Sequence, residues 1–315
     1  MKNLKKILAL VLAFACAFTM FAGAAFTDQA DIKVDADVVD TLVSLGIIEG
    51  FEDGSFQPDA TVTRAQMAKM IYVLRTGNSD ASAYNNDKTT FTDINGHWAA
   101  GYVKYCQSLG IIADKSNTKF CPNDKITAQE AAKMLLVTLG YNAEKAGLVG
   151  INWASKTNAL ADENGLLEDV TTSFTAACPR QYAAQLIYNA IDTATVVWRD
   201  DAYTNVNVLG KDNQTVGEKY MNLVKDEADV GEHDNILTKV EKEDGRDTYT
   251  ITVGGTVYTR VVADYSDLMG QDVVVMHKKN DTSKVFGVYA AEDSKVLATG
   301  IIGDMEKVSG NDKKV

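Results

Sequence analysis

Proline and cysteine are both scarce in this 315-residue chain, which has 3 prolines and 4 cysteines. So few prolines exclude a proline-rich linker. No CxxC pair or Cys/His metal-ligand spacing occurs. Once a leader containing Cys16 is set aside, Cys106, Cys121 and Cys178 remain. The pattern favours small apolar core side chains at these positions, with a Cys106–Cys121 disulfide as the alternative.

Positive charge is also in short supply. The chain has 31 Lys and Arg against 43 Asp and Glu, a net charge of -12, and a pI of about 4.8. This balance argues against nucleic acid as a partner, because no Lys/Arg stripe is present to neutralise phosphates. It also argues against general attraction to anionic membranes or polymers, so an anionic ligand needs a few well-placed cations at its own site.

Residue patterns that indicate catalysis are missing too. The three histidines, His97, His233 and His277, are scattered, and no Ser-centred elbow, HExxH or P-loop occurs. No EF-hand pattern is present, so we expect no metal site and no cofactor. Carboxylates are abundant, which leaves a glycosidase-like pair open, but most acids in such a chain form a solvated surface. The sequence therefore favours a protein that is not an enzyme.

The first 24 residues predict a secretory signal peptide. Lys2, Lys5 and Lys6 precede an uncharged apolar stretch at 7–21, and small residues at 22–25 supply an A-x-A cleavage site. The apolar stretch is shorter than the ~20 residues that span a bilayer, so an uncleaved anchor is the weaker alternative. Cleavage removes three lysines and no acid, so the net charge of -12 becomes -15. We expect a secreted protein without membrane association.

Three sequence blocks recur along the next part of the chain. Leu45-Gly46-Ile47-Ile48 returns as Leu109-Gly110-Ile111-Ile112 and as Asn164-Gly165-Leu166-Leu167. An aromatic residue follows each block: Phe56, Phe120 and Phe174. A second block then begins at Thr63, Thr127 and Pro179, and its three copies align without gaps. A period of this kind is typical of a repeat protein.

Each repeat predicts two helices joined by a loop. The first helix ends at a glycine such as Gly46, which tolerates positive φ. Thr63 with Gln66, and Thr127 with Glu130, have the spacing of a capping box at the start of the second helix. In the third repeat Pro179 replaces the threonine, so its cap must come from elsewhere. Three such hairpins can bury their apolar faces against one another, which one cannot do alone.

These residues resemble the S-layer homology domain. The best stretch is Phe91-Thr92-Asp93-Ile94-Asn95-Gly96-His97-Trp98, followed by Gly110-Ile111-Ile112, and the resemblance spans about residues 26–192. It implies a three-lobed helical assembly with grooves between the repeats. It also implies non-covalent binding of a secondary cell-wall polysaccharide, which in the family commonly bears a pyruvate ketal.

The resemblance assigns six groove residues. They are Asp28, Arg64, Asp93, Trp98, Trp153 and Arg180. Arg pairs bidentately with carboxylates, a Trp face packs on a sugar ring, and Asp accepts hydrogen bonds from hydroxyls. Repeat 1 has Val34 in place of Trp, or Lys33 if the position is counted from Asp28. Repeat 2 has Ala128 in place of Arg, and repeat 3 has no clear Asp counterpart. We therefore expect one or two working grooves.

Each of these residue types also has a structural interpretation. The two Trp side chains are equally well explained as plugs of the core. Both Asp residues are equally well explained as caps of the first helix. For the two Arg residues ligand binding is favoured, because a cation in a first helical turn opposes the helix dipole.

From about Asp200 the pattern becomes strand-like. Residues 248–253 alternate, and Gly254-Gly255 separates them from 256–259, which predicts a hairpin. Further strands are predicted at 272–276, 285–289 and 296–302, with a turn at 279–281. The region predicts a small β-barrel or sandwich.

The sequence thus predicts an α + β multidomain chain. The predicted segments are a signal peptide at 1–24, helical repeats at 25–84, 85–144 and 145–198, and a β-rich region at 199–315 that is complete or the front of a larger one. The predicted function is anchoring of an exported surface protein at the cell wall or S-layer. Predicted partners are the wall polysaccharide and copies of the chain in a surface lattice. The alternative is a wall-anchored enzyme acting on polysaccharides, with its chemistry in the C-terminal region.

Overall fold

The computed structural model describes residues 26–291, except 114, 117, 209–212, 229–231 and 233, together with residue 294. The predicted signal peptide and the predicted strand at 296–302 lie outside the described residues. Helices occupy the N-terminal part and antiparallel sheets the C-terminal part, so the α + β prediction is confirmed. The described residues divide into two compact units, those up to 224 with 277–281, and residues 225–276 with those from 282 onward. Within the described residues, no helix is long and apolar enough to cross a membrane.

The first unit is built from helix pairs. Its described α-helices are α1 (Ala36–Ser44), α2 (Arg64–Thr76), α3 (Ala100–Ser108), α4 (Ala128–Leu139), α5 (Trp153–Glu163) and α6 (Arg180–Asp192). They follow the predicted pattern of two helices per repeat. The second helix of each pair packs against the first helix of the next, α2 on α3, α4 on α5 and α6 on α1, so the arrangement closes on itself.

Three hydrogen bonds close the centre of this unit. Val62 N donates to Cys178 O at 3.0 Å, Cys178 N to Ile126 O at 2.8 Å, and Ile126 N to Val62 O at 2.9 Å. All three residues are buried, where an unpaired backbone group is costly. Each repeat therefore supplies one donor and one acceptor to a ring that needs all three.

The helix starts agree with the sequence. Both capping boxes form, with Thr63 and Gln66 bonded reciprocally and Thr127 and Glu130 likewise. Pro179 gives no side-chain cap, and the amide of Arg180 instead donates to Ala60 O at 2.8 Å, so the first repeat caps the third. Gly46 follows α1 with φ of +68°.

The three cysteines that the structure describes, Cys106, Cys121 and Cys178, are all free. Cys106 and Cys178 are buried, and burial raises the pKa of each thiol to about 12. Cys121 is partly buried and has a left-handed backbone with φ of +58°. The disulfide alternative is therefore wrong, and the interpretation as small core side chains is confirmed for the two buried residues.

The first unit continues beyond the last helix pair. Strands β1 (Val196–Arg199) and β2 (Ala202–Asn205) form an antiparallel hairpin. Asp200 and Asp201 at its tip have φ of +48° and +62°, as a type I′ turn requires. A single π-helical turn, Gly217–Met221, follows. Arg75 Nη1 donates to Tyr220 OH at 2.9 Å and holds this turn on α2.

Six further strands form two separate sheets. They are β3 (Leu223–Asp226), β4 (Leu237–Lys242), β5 (Tyr249–Val253), β6 (Thr256–Val261), β7 (Val273–Lys278) and β8 (Asp281–Ala290). The sheet orders are β4-β5-β6 and β3-β7-β8. Leu237, Ile251, Tyr258, Val275 and Val288 meet in one core.

Four predicted strands are confirmed by β5 to β8, whereas β3 and β4 were not predicted. A closed barrel is wrong for the described residues, which form two three-stranded sheets sharing a core.

Candidate functional site

Arg64 clamps the loop of the second repeat. Its side chain is buried, and its Nε donates to Phe120 O at 2.8 Å while its Nη2 donates to Ala113 O at 2.7 Å. The guanidinium carbon lies 4.6 Å from the centroid of the Phe120 ring. Burial lowers the pKa of Arg64 from its ordinary value. Two of the five N–H donors of this side chain are therefore used within the protein.

Arg180 clamps the loop of the first repeat in the same way. Its Nη2 donates to Glu49 O, the counterpart of Ala113 O. The guanidinium carbon lies 5.0 Å from the Phe51 ring centroid and 5.1 Å from that of Phe56. Burial lowers the pKa of Arg180 to about 10. Its buried Nε has no hydrogen-bond partner among the described residues, unlike the same atom of Arg64.

Asp28 and Asp93 hold the same two loops from the other side. Asp93 accepts from the amides of Phe120 at 3.0 Å and Cys121 at 2.8 Å. Asp28 accepts equivalently from Phe56 at 2.8 Å and Gln57 at 2.7 Å. Burial alone would raise the pKa of Asp93, but its amide donors hold it below the ordinary value. The interpretation of both as caps of the first helix is wrong, because Asp35 caps α1 and Ala99 precedes α3.

A cleft of about 320 Å³ opens beside Arg64. All three repeats line it. Repeat 1 contributes Arg64, repeat 2 contributes Ile111, Ile112, Ala113, Lys115, Glu130, Lys133 and Met134, and repeat 3 contributes Val149, Gly150 and Trp153. Its size is at the lower end of that of small-ligand pockets. We call this site the Arg64 cleft.

Three cations and one carboxylate give the cleft its charge. Lys115 Nζ lies 2.6 Å from Glu130 Oε1, and Arg64 Nη1 lies 3.9 Å from the same oxygen. Burial raises the pKa of Glu130, but the Lys115 hydrogen bond, the Thr127 amide and the charges of Lys115 and Arg64 outweigh it and hold the pKa below its ordinary value. The local charge is therefore positive on a chain of net charge -12.

Lys133 is the cation best placed to receive an anion. Its Nζ lies 5.4 Å from the centroid of the Trp153 ring across the cleft. Burial, followed by the charge of Arg64, lowers the pKa of Lys133. It forms no ion pair with any carboxylate in the described part of the chain, whereas Lys115 does.

Lys115 and Lys133 were missed by the sequence analysis. One signal was present for Lys133, because Lys69 and Lys133 stand six residues after Thr63 and Thr127 in the aligned blocks. Lys69 pairs with Glu49 at 3.1 Å.

Only two of the six predicted residues, Arg64 and Trp153, line the cleft. Trp98 is 57% exposed and Trp153 is half-buried, so neither plugs the core. Trp98 packs on His97 and Tyr102 instead.

The corresponding junction at Ala128 has apolar residues in place of the Arg and the Trp. Ala128 and Val34, which replace the Arg and the Trp, are buried at 1% and 8% exposure. Asn189 Nδ2 donates to Glu168 O at 2.8 Å and Leu166 O at 3.1 Å. It thus binds the loop carbonyl that an Arg binds elsewhere. We call this site the Ala128 junction.

No group of three or more His, Cys, Asp or Glu side chains is placed to hold a metal ion within the part of the chain that the structure describes.

Two segments, residues 25–68 and 90–132, match the family model of the S-layer homology domain. The resemblance deduced from the sequence is therefore confirmed for these segments. The third helix pair lies outside both matches, so its membership in the family stays a prediction.

Three relatives extend the comparison. A cell surface protein of Thermoanaerobacter kivui is 28% identical over 310 residues, 95% of this chain and 37% of that protein. A surface layer protein of Brevibacillus choshinensis is 32% identical over 52% of this chain and 15% of its own length. Exoglucanase XynX of Acetivibrio thermocellus is 31% identical over 50% of this chain and 15% of its own length. The chain thus spans well under half of the length of each relative.

Proposed function

We propose that the helical unit anchors an exported surface protein to the cell wall by binding a secondary wall polysaccharide non-covalently. The observation that carries the proposal is the Arg64 cleft, which gathers three cations beside an aromatic face on an otherwise acidic chain. The two S-layer homology matches and the surface proteins among the relatives support the same function.

The ligand in this proposal is a sugar that bears a carboxylate, such as a pyruvate ketal. Lys133 pairs with the carboxylate, since a charge-assisted bond is worth more than a neutral one. The ring of Trp153 packs against the apolar side of the sugar, and Glu130 accepts a hydroxyl hydrogen bond. Arg64 adds positive potential and shapes the wall, because its Nε and Nη2 already donate to Phe120 and Ala113.

The comparisons favour a surface protein over a wall-anchored enzyme. The match to the cell surface protein covers 95% of this chain, whereas the match to the exoglucanase covers 50%. Likeness to the exoglucanase therefore gives no reason to place catalysis in residues 199–315. In our proposal this β-rich region is displayed on the surface, where copies of the chain assemble into a lattice.

Co-sedimentation of the full chain with purified cell walls tests the proposal. Wild type is expected to pellet with intact walls and to stay in solution when the secondary polysaccharide has been stripped. Lys133→Gln, which removes the unpaired cation, should greatly reduce pelleting. Lys156→Gln is the matched control, because Lys156 is an exposed lysine of α5 outside the cleft lining. Equal pelleting of Lys133→Gln and wild type would overturn the assignment of the cleft.

A further inference from the structure

We infer that the β1–β2 hairpin is a buttress that holds one wall of the Arg64 cleft, with Tyr203 as its main positioning residue. This inference rests on the proposed function, since its effect is read partly as ligand affinity. No residue of the hairpin lines the cleft. The coupling runs through the segment that connects α4 to α5.

The hairpin is fastened to the start of this connecting segment. Tyr203 OH accepts from Asn142 N at 2.9 Å and lies 3.3 Å from Asn142 O, to which it donates. The ring centroids of Tyr203 and Tyr141 are 4.6 Å apart, and those of Tyr203 and Trp198 are 4.8 Å apart. Lys145 Nζ lies 4.8 Å from the centroid of the Trp198 ring. Both hairpin strands therefore contact the first residues of the segment that connects α4 to α5.

Gly140, the residue after α4, shows how closely strand β1 approaches the start of the connecting segment. Its φ is +123°, and a Cβ at this position would lie 2.1 Å from Val196 O. No side chain fits there without moving the backbone of β1. The hairpin therefore lies directly against the end of α4, the helix that carries Lys133.

The fastened residues continue into the cleft wall through an ordered turn. The side chain of Asn142 accepts from the amides of Glu144 at 3.1 Å and Lys145 at 3.0 Å. Leu148 N then donates to Ala143 O at 2.7 Å, and the Leu148 side chain is fully buried. The next residues, Val149 and Gly150, line the cleft, and α5 begins with Trp153.

The buttress thus fixes Trp153 relative to Lys133. Trp153 lies on α5 and Lys133 on α4, and the connection 140–152 joins these two helices in sequence. If Tyr203 releases Asn142, the turn at 142–148 gains freedom and the Trp153 wall moves with it. A ligand that uses both walls must then order the loop when it binds, which weakens its affinity.

Tyr203→Phe and Tyr203→Ala in the full chain test this inference, with Tyr220→Phe as the matched control. Tyr220 OH also accepts a hydrogen bond, from Arg75, and it donates to Thr138 O of α4 at 3.4 Å, so its bonds reach α2 and α4 rather than the connection 142–152. Two quantities are measured: affinity for purified wall polysaccharide, and hydrogen–deuterium exchange of residues 142–153. Tyr203→Phe removes both hydrogen bonds to Asn142 and should weaken binding about fivefold. Tyr203→Ala should weaken it further, and exchange should accelerate at 142–153 but not at 64–74.

Unchanged affinity and unchanged exchange in both Tyr203 variants would overturn the inference. Exchange that accelerates equally throughout the helical unit would also overturn it, because that result indicates a general structural role. If wild type itself fails to bind the polysaccharide, the proposed function fails. The exchange at 142–153 then still decides whether the hairpin fixes this wall, with Tyr203→Phe as the milder variant should Tyr203→Ala not fold.

Discussion

The Arg64 cleft and the Ala128 junction occupy corresponding places between helix pairs, yet one is open and cationic and the other has a buried Ala and a buried Val in place of the Arg and the Trp. At the cleft a buried Arg binds two loop carbonyls, and lysines and a Trp surround an open space. At the Ala128 junction Asn189 binds the loop carbonyls, and a buried valine replaces the Trp. Both places keep the same backbone ring, through Val62, Ile126 and Cys178.

The difference indicates that the residues that close the fold of this unit are distinct from those proposed to bind a ligand. The ring and the helix packing require three repeats, but they do not require three sets of groove residues. A neutral amide suffices to satisfy the loop carbonyls. The third repeat contributes Cys178 to the ring and α6 to the helix packing, while the Ala128 junction lacks the Arg and the Trp of the cleft.

The largest expected effect comes from removing the Arg64 clamp. Arg64→Ala removes two hydrogen bonds from a charged donor, one of them to the carbonyl of the buried Phe120, so the free energy of unfolding should fall by about 3 kcal/mol. Urea denaturation of the full chain measures this loss. A change as small as that of an ordinary surface substitution, about 0.5 kcal/mol, would show that Arg64 is not a clamp.

Removing Asn189, the uncharged residue that binds loop carbonyls at the Ala128 junction, should destabilise the fold less than removing Arg64. Asn189→Ala removes two hydrogen bonds from an uncharged amide, so we expect a loss of about 1.5 kcal/mol. Wall binding should stay at the wild-type level once the variant is folded, because Asn189 does not line the Arg64 cleft. The same denaturation and sedimentation measurements apply, and a loss of binding in folded Asn189→Ala would break the comparison.

The smallest expected effects are opposite pH dependences in the two regions. Near the Ala128 junction, burial and then the charges of Asp35 and Asp40 raise the pKa of Asp37 to about 6. A carboxyl whose pKa is raised on folding destabilises the fold when ionised, and stability recovers as the pH falls through about 6. Asp37→Asn should therefore raise the Tm at neutral pH, with the gain disappearing in acid.

Glu130 in the cleft should behave in the opposite sense. Its pKa is held below the ordinary value, so its contribution stabilises the fold at neutral pH and is lost as the pH falls through that lowered pKa. Glu130→Gln should lower the Tm at neutral pH and matter less in acid. Thermal melts of both variants across this pH range check the pair, and a shift of the same sign in both would contradict the account.

Local chemistry explains which features the sequence predicted. The capping boxes at Thr63 and Thr127 and the stop at Gly46 depend on neighbours within a few residues. The alternating strand at 248–253 and its Gly254-Gly255 turn are equally local. The two aspartates at the tip of the β1–β2 hairpin were a local signal too, and it was overlooked.

The roles of the groove residues could not be predicted from the sequence, because they depend on contacts with backbone groups that are distant along the chain. Arg64 and Asp93 both bond the peptide groups around Phe120, which lies 56 and 27 positions further along the chain. Nothing in the repeat pattern specifies which carbonyl a guanidinium reaches. The proposed role of Lys133 likewise depends on its neighbours in the cleft. Trp153 is brought there by α5, and Arg64 by the neighbouring repeat.

The central claim is that Lys133 in the Arg64 cleft receives the carboxylate of a wall polysaccharide. Its most direct test is calorimetric titration of a carboxylate-bearing fragment of that polysaccharide into wild type, Lys133→Gln and Lys156→Gln. The account predicts that Lys133→Gln binds at least about tenfold more weakly, as the loss of a charge-assisted bond implies, while Lys156→Gln matches wild type. Equal affinity of Lys133→Gln and wild type would contradict it.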